Sequence, residues 1–137
     1  PPLGRFRVPI IFFDPSGEMK PGRLPGIVKQ IDIMPTVLGY LGYQHPFIAF
    51  GNDHTQLPAT HNYEVAYLNG VYVFAQGDYV LLFDGKKTTG LYDFKKDRLL
   101  VHDLKGRVPQ QTAMERQLKA IIQSYMQRML TDQVAVR

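Results

Sequence analysis

The sequence predicts a mixed α/β chain, α+β within these 137 residues, in which a C-terminal helix packs on a small four-stranded antiparallel sheet. Asn69-Gly70 and Asp84-Gly85 stand between runs of β-branched and aromatic residues, a pattern typical of hairpin turns. Residues 112–130 carry apolar side chains at helical spacing. The apolar run "RVPIIFF" at 7–13 predicts the end of a further sheet, because such strands are usually buried on both faces.

Length and composition restrict the class of protein. A chain of 137 residues with 45% hydrophobic and 20% charged residues suffices for one globular domain. No apolar run approaches the ~20 residues that a membrane helix needs, and no secretory signal pattern is present. Since the sequence lacks an initiator Met and opens directly on an apolar run, we interpret residues 1–137 as a single C-terminal piece of a larger protein.

Charge and cysteine content exclude several kinds of site. The net charge is +4, but the basic residues are scattered, so the sequence predicts a solvated basic surface and no nucleic-acid partner. The absence of cysteine excludes disulfides, thiolate zinc sites and a cysteine nucleophile within these residues.

Residues 1–50 are predicted to hold the end of the larger sheet and one short helix. The strand at Arg7–Phe13 is ended by "DPSG" at 14–17, a turn signature. Residues 18–26 contain two Pro and two Gly and predict a loop.

The stretch "QIDIMPTVLGYLG" at 30–42 predicts a buried helix. Asp32 is placed as the N-cap, Pro35 lies in the first turn and Gly42 supplies a left-handed stop. Capping explains Asp32 without a catalytic role. The predicted apolar face consists of Ile33, Val37, Leu38 and Leu41.

Residues 60–137 are predicted to form the antiparallel sheet and the closing helix. The four strands are expected at 63–68, 71–75, 79–83 and 88–94. In the helix, Thr112 and Glu115 form a predicted capping box. The stripe expected to cover the sheet is Met114, Leu118, Ile121, Ile122, Tyr125 and Met129.

Residues suited to catalysis are sparse. None of the four histidines lies in a zinc-protease spacing, neither serine lies in GxSxG, and no glycine-rich phosphate loop occurs. The loop Asn52–Thr55 is the exception, since it brings Asp53 and His54 together and His61 follows closely. Adjacent loop residues tend to point apart and no third metal ligand is evident. The loop is therefore interpreted either as a polar surface turn or as a ligand-contacting site.

Three blocks, in their order, carry a family resemblance: "RVPIIFFDPSG" at 7–17, "VKQIDIMPTVLGYLG" at 28–42 and "GLYDFKKDRLLVHDLKG" at 90–106. Together they resemble the C-terminal third of the sulfatase-like branch of the alkaline phosphatase superfamily. "FGNDHTQL" at 50–57 and the meander at 69–94 are most similar to the lipoteichoic acid synthase and phosphoglycerol transferase group. The third block departs from the sulfatase pattern, with Arg98 in place of the usual Pro.

The resemblance implies a function for the whole protein. It implies the end of an alkaline-phosphatase-like sheet, and a metal-dependent enzyme that acts on phosphate or sulfate esters outside the cytoplasm. The divalent ion (Mn, Mg, Ca or Zn) and the nucleophile would be held upstream, in the catalytic portion of the same chain. Any membrane attachment would be through an upstream anchor.

For this piece the resemblance implies no catalytic residue and no metal ligand, so the piece alone would be inert. It would contact an anionic ester substrate through Asp53, His54 and His61, with Lys20 or Arg23 nearby. The first alternative is a sulfatase. The second is a non-enzymatic module that binds an anionic polymer through Lys86, Lys87, Lys95 and Lys96.

Overall fold

The structure is a computed structural model that describes residues 8–24, 26–55 and 63–134. A 3-10 turn at Gln30–Asp32 leads into helix α1, Ile33–Tyr40. Four strands follow, β1 Tyr63–Leu68, β2 Val71–Gln76, β3 Tyr79–Phe83 and β4 Thr88–Asp93, and helix α2 spans Gln110–Leu130. The predicted antiparallel sheet with its C-terminal helix is confirmed. No helix among the described residues is long and apolar enough to cross a membrane.

The sheet is a meander in the order β1-β2-β3-β4. Tyr67 pairs with Tyr72 across the first hairpin. Asn69 and Gly70, which connect the two strands, have φ of 51° and 82°. Two successive positive φ angles match the twist of a two-residue hairpin, which explains why Asn-Gly occurs there. The last hairpin turns at Asp84, whose carboxylate accepts hydrogen bonds from the amides of Lys86 and Lys87, both at 2.8 Å.

The core lies between one face of the sheet and the first half of α2. Its buried members are Phe74, Leu81, Phe83, Leu91, Met114 and Leu118. The predicted helix stripe is confirmed for Met114 and Leu118, whereas Tyr125 and Met129 are about half exposed. Tyr125 instead packs edge-on against Phe50, with ring centroids 5.0 Å apart. The second half of α2 therefore contacts the loop that follows α1.

The predicted capping box at Thr112 is wrong, because α2 begins two residues earlier, at Gln110. The preceding Pro109 has φ −65°, which suits a helix start. Glu115 accepts hydrogen bonds from Thr88 Oγ1 and Lys119 Nζ, both at 2.6 Å. Glu115 thus ties α2 to the start of β4.

Residues 8–13, predicted as the end of a further sheet, belong to no strand in the described part of the chain, so the strand stays a prediction. Arg7 lies outside the described residues. Ile11 and Phe13 are more than four-fifths exposed, whereas Ile10 and Phe12 are partly buried. A strand needs a neighbour for its backbone hydrogen bonds, and none of the four strands of the meander pairs with this segment.

Helix α1 ends as predicted, because Gly42 has φ 66° and its amide donates to the carbonyl of Gly39. Its orientation differs from the prediction. Ile33, Val37 and Leu41 are exposed, whereas Pro35 and Thr36 are buried together with Asp32. The reason is that the loop after α1 returns to cover the polar face.

Candidate functional site

The loop Gly51–Thr55 packs tightly on the helical segment that precedes it in the sequence. Gly51 lies against the carbonyl of Ile31 so closely that no Cβ would fit. Gly39 lies in the same way against the carboxylate of Asp53. Two glycines, one in the loop and one in α1, therefore allow this close approach.

Asp32 is the main residue that attaches the loop Gly51–Thr55 to the helical segment. One carboxylate oxygen accepts the amide of Asn52 at 2.8 Å. The other accepts the amide of Lys29 and His54 Nε2, each at 2.8 Å. No amide of α1 donates to it, so the prediction that Asp32 caps this helix is wrong. The residue has a structural role as predicted, but it holds the loop.

Thr36, one turn further along α1, holds the backbone of the same loop. Its hydroxyl accepts the amide of His54 at 3.1 Å and donates to the carbonyl of Asn52 at 3.3 Å. His54 is thus fixed both through its ring and through its amide. An ionised carboxylate only accepts, so His54 carries a proton on Nε2.

Asp53 and His54 bind different partners, in keeping with the expectation that adjacent loop residues point apart. The carboxylate of Asp53 accepts the amide of Thr55 at 2.8 Å and its hydroxyl at 2.6 Å. This local turn stiffens the loop, whereas His54 faces Asp32. His61 lies outside the described residues, so its approach to the loop stays a prediction.

The electrostatics favour an ionised Asp32. Burial would raise its pKa, but the hydrogen bonds from His54, Asn52 and Lys29, together with the charge of Lys29, hold the pKa below the ordinary 3.8. Lys29 Nζ is 3.5 Å from the carboxylate and 4.2 Å from the ring centroid of Tyr63. The ammonium group is therefore shared between an anion and an aromatic face.

Sequence reasoning missed three residues beside this site: Lys29, Tyr63 and Glu64. Lys29 is buried, although lysine rarely is. Glu64 is the single carboxyl residue in the otherwise apolar and aromatic β1, which is the one signal that the sequence offered. The partner of a charged strand residue depends on tertiary packing, which no local pattern reports.

The positive residues considered for anion binding do not gather at one place. Lys86 and Lys87 lie in the turn before β4, whereas Lys95 and Lys96 follow its other end. Lys95 pairs with Asp78 at 2.5 Å and Lys96 with Asp93 at 3.8 Å. Two of the four lysines thus have an acidic group close by, and the four do not form one patch, which disfavours the polymer-binding alternative.

Lys20 and Arg23 are exposed. Within the described ranges, no hydrogen bond or ion pair joins either of them to the loop Gly51–Thr55. In the same ranges, no group of three or more His, Cys, Asp or Glu residues is arranged to hold a metal ion. The site therefore contains the imidazole of His54, which is held in place by hydrogen bonds, and the carboxylates of Asp32 and Asp53, which already accept hydrogen bonds.

A shallow crevice of about 380 Å³ lies elsewhere, between the β2–β3 turn and the start of α2. Its lining includes Gln76, Tyr79, Gln110 and Met114 and shares no residue with the loop Gly51–Thr55. Comparison with protein-family models gave no match, and comparison with curated proteins gave no significant match.

Proposed function

We propose that this chain is the C-terminal part of a metal-dependent, sulfatase-like enzyme that acts on phosphate or sulfate esters, of the lipoteichoic acid synthase-like phosphoglycerol transferase type. Its part would be to complete the scaffold and to present Asp53, His54 and His61 to an anionic ester substrate. The enzyme would act outside the cytoplasm. By the resemblance, the ion and the nucleophile would be held in an upstream portion of the same chain.

The observation that carries the proposal is the position of the polar residues in the block at 28–42. Lys29, Asp32 and Thr36 are its buried polar members, and Asp32 and Thr36 both hold His54. A helix that served only as filler would bury its apolar face. Here the polar face is buried and fixes a loop, as expected of a segment that supports a binding site.

The uncovered apolar side of α1 also supports the proposal. Ile33, Met34 and Val37 on α1 are 37–46% exposed. Ile11 and Phe13 before it are more exposed still. Concentrations of exposed apolar side chains of this kind are typical of surfaces that pack against another part of a protein. In the proposal, the upstream catalytic portion covers them.

The first test is to determine the coding sequence upstream of Pro1. An Asp-His pair shortly before it, with a Thr nucleophile further upstream, would support the transferase. A Cys or Ser followed by x-Pro-x-Arg would make the protein a sulfatase. A start codon nearby, with neither feature, would contradict the proposal and leave the polymer-binding module.

The second test measures ester cleavage by the full-length protein with added divalent ions, on a phosphodiester and on a sulfate ester. We expect His54→Ala to raise KM more than it lowers kcat, because the residue would contact substrate without reacting. The matched control is His102→Ala, since His102 is 83% exposed and lies in another loop. Equal effects of the two substitutions would contradict the role of His54.

A further inference from the structure

The helical segment meets the edge strand β1 through a small group of charged and polar residues. Lys29 and Asp32 lie on the helical side, and Tyr63 and Glu64 lie at the start of β1. We call these four residues the junction. Lys29 Nζ connects the two sides, since it is 3.5 Å from Asp32 and 4.2 Å from the ring centroid of Tyr63.

The two carboxyl groups of the junction are in unequal surroundings. Asp32 accepts hydrogen bonds from two amides and from His54. Glu64 Oε2 is buried and has no hydrogen-bond partner among the residues that the structure describes. Lys29 Nζ is likewise buried and, in the same part of the chain, donates no hydrogen bond. A buried oxygen without a donor is far costlier as a carboxylate than as a neutral carboxyl.

The charge of Lys29 thus acts on two carboxyls, one that accepts several hydrogen bonds and one whose buried oxygen accepts none among the described residues. Burial raises the pKa of Glu64, the charge of Lys29 opposes this rise, and the negative charge of Asp32 adds to it. The hydrogen bonds of Asp32 hold its own pKa low. When two carboxyls lie close together, the one with more hydrogen-bond donors stays ionised and the other keeps the proton. Tyr63 is neutral, since burial and both carboxyls raise its pKa.

We propose that the junction responds to pH. Glu64 is protonated when the helical segment and β1 are packed together, and loss of that proton weakens the attachment of the loop Gly51–Thr55. An ionised Glu64 would compete with Asp32 for Lys29. Among the described residues, the charges that act on Glu64 are those of Lys29 and Asp32, and His54 is hydrogen-bonded to Asp32. This pH response of the junction does not depend on the proposed enzymatic function.

The direction of the pH effect follows from linkage. A carboxyl whose pKa is raised in the folded state stabilises that state fully below its ordinary pKa of 4.5. This contribution is lost as the pH rises through the raised value. Asp32 acts in the opposite direction, because its contribution is lost as the pH falls below about 3.8. The junction is therefore most stable in mildly acidic solution.

The test is an NMR titration of the full 137-residue chain, with the Glu64 side-chain carboxyl carbon as the probe. Amide hydrogen exchange of Asn52 and His54, corrected for the intrinsic effect of pH, reports the loop in parallel. We expect Glu64 to titrate above 4.5. Loop exchange should accelerate about tenfold for each pKa unit of the shift. Exchange at Leu81 in the core should not follow this titration.

The variant Glu64→Gln should remove the pH dependence of loop exchange, whereas the control Glu18→Gln, at an exposed loop position, should keep it. A Glu64 midpoint at or below 4.5 would overturn the proposal. Unchanged pH dependence in Glu64→Gln would overturn it as well. The titration of the unaltered chain needs no variant, so it tests the proposal even if Glu64→Gln does not fold.

Discussion

His54 Nε2 lies 2.8 Å from a carboxylate oxygen of Asp32, a residue that is only 1% exposed. The two residues are 22 positions apart, and the contact fixes how the loop after α1 returns onto it. The hydroxyl of Thr36 then holds the amide of His54. The helix and the loop thus form one unit, with the imidazole as its most chemically versatile group.

Replacing Asp32 with Asn should destabilise the fold strongly. The substitution keeps the size of the side chain but leaves the buried ammonium of Lys29 without its anion, which costs about 3 kcal/mol. Urea unfolding at pH 7 would measure the loss. Asp84→Asn is the control, because Asp84 is exposed and its carboxylate bonds within its own turn. Comparable losses in the two variants would contradict the role of Asp32.

Acid should weaken the attachment of the loop Gly51–Thr55 to the helical segment. Burial acts against ionisation of Asp32, but the bonds from His54, Asn52 and Lys29 lower its folded pKa below 3.8. Its contribution is therefore fully present above about pH 4 and is lost as the pH falls through the lowered value. The free energy of unfolding, measured from pH 6 to pH 2, should fall more steeply in the unaltered chain than in Asp32→Asn. Parallel curves would count against this assignment.

Local patterns predicted the elements of this fold better than their packing. The Asn69-Gly70 turn and the Gly42 stop depend on backbone angles that few residues adopt, so sequence reveals them. The capping role given to Asp32 failed because two of its three partners come from residues 52 and 54, beyond any local window. Glu64 was missed for the same reason, because the sequence of β1 does not show that Lys29 packs against this strand.

Gly51→Ala should be costly although the side chain added is small. A Cβ at this position would overlap the backbone carbonyl of Ile31, which cannot rotate away. Relief requires the loop to move from the helix, at about 2–3 kcal/mol. Gly22→Ala is the control, because nothing lies within 4 Å of the added atom. Thermal unfolding would compare them, and equal melting temperatures would show that the loop accommodates the methyl group.

Leu118→Ala tests the packing of α2 on the sheet. Leu118 is 0% exposed and contributes to the core with Phe74 and Leu81. Its truncation leaves a cavity and should lower the free energy of unfolding by about 3 kcal/mol. Leu130→Ala makes the same chemical change at the end of the same helix, where the side chain is 87% exposed, and should be nearly neutral. A small effect at Leu118 would mean that α2 is only loosely attached.

The segment 8–13 should make the chain associate with itself. It carries the exposed side chains of Ile11 and Phe13 and belongs to none of the strand pairs in the described structure. An apolar segment with unpaired backbone groups can add to a matching segment of a second molecule. Sedimentation velocity should therefore show association that increases with protein concentration.

The variant Ile11→Lys should reduce this association, because a charged side chain on an open edge opposes pairing. Leu99→Lys is the matched control, since Leu99 and Ile11 are both 83% exposed but Leu99 lies after β4. Loss of association in both variants would indicate a general effect of charge. Loss in Ile11→Lys alone would locate the contact at 8–13, and a monomer at every concentration of the unaltered chain would contradict the prediction.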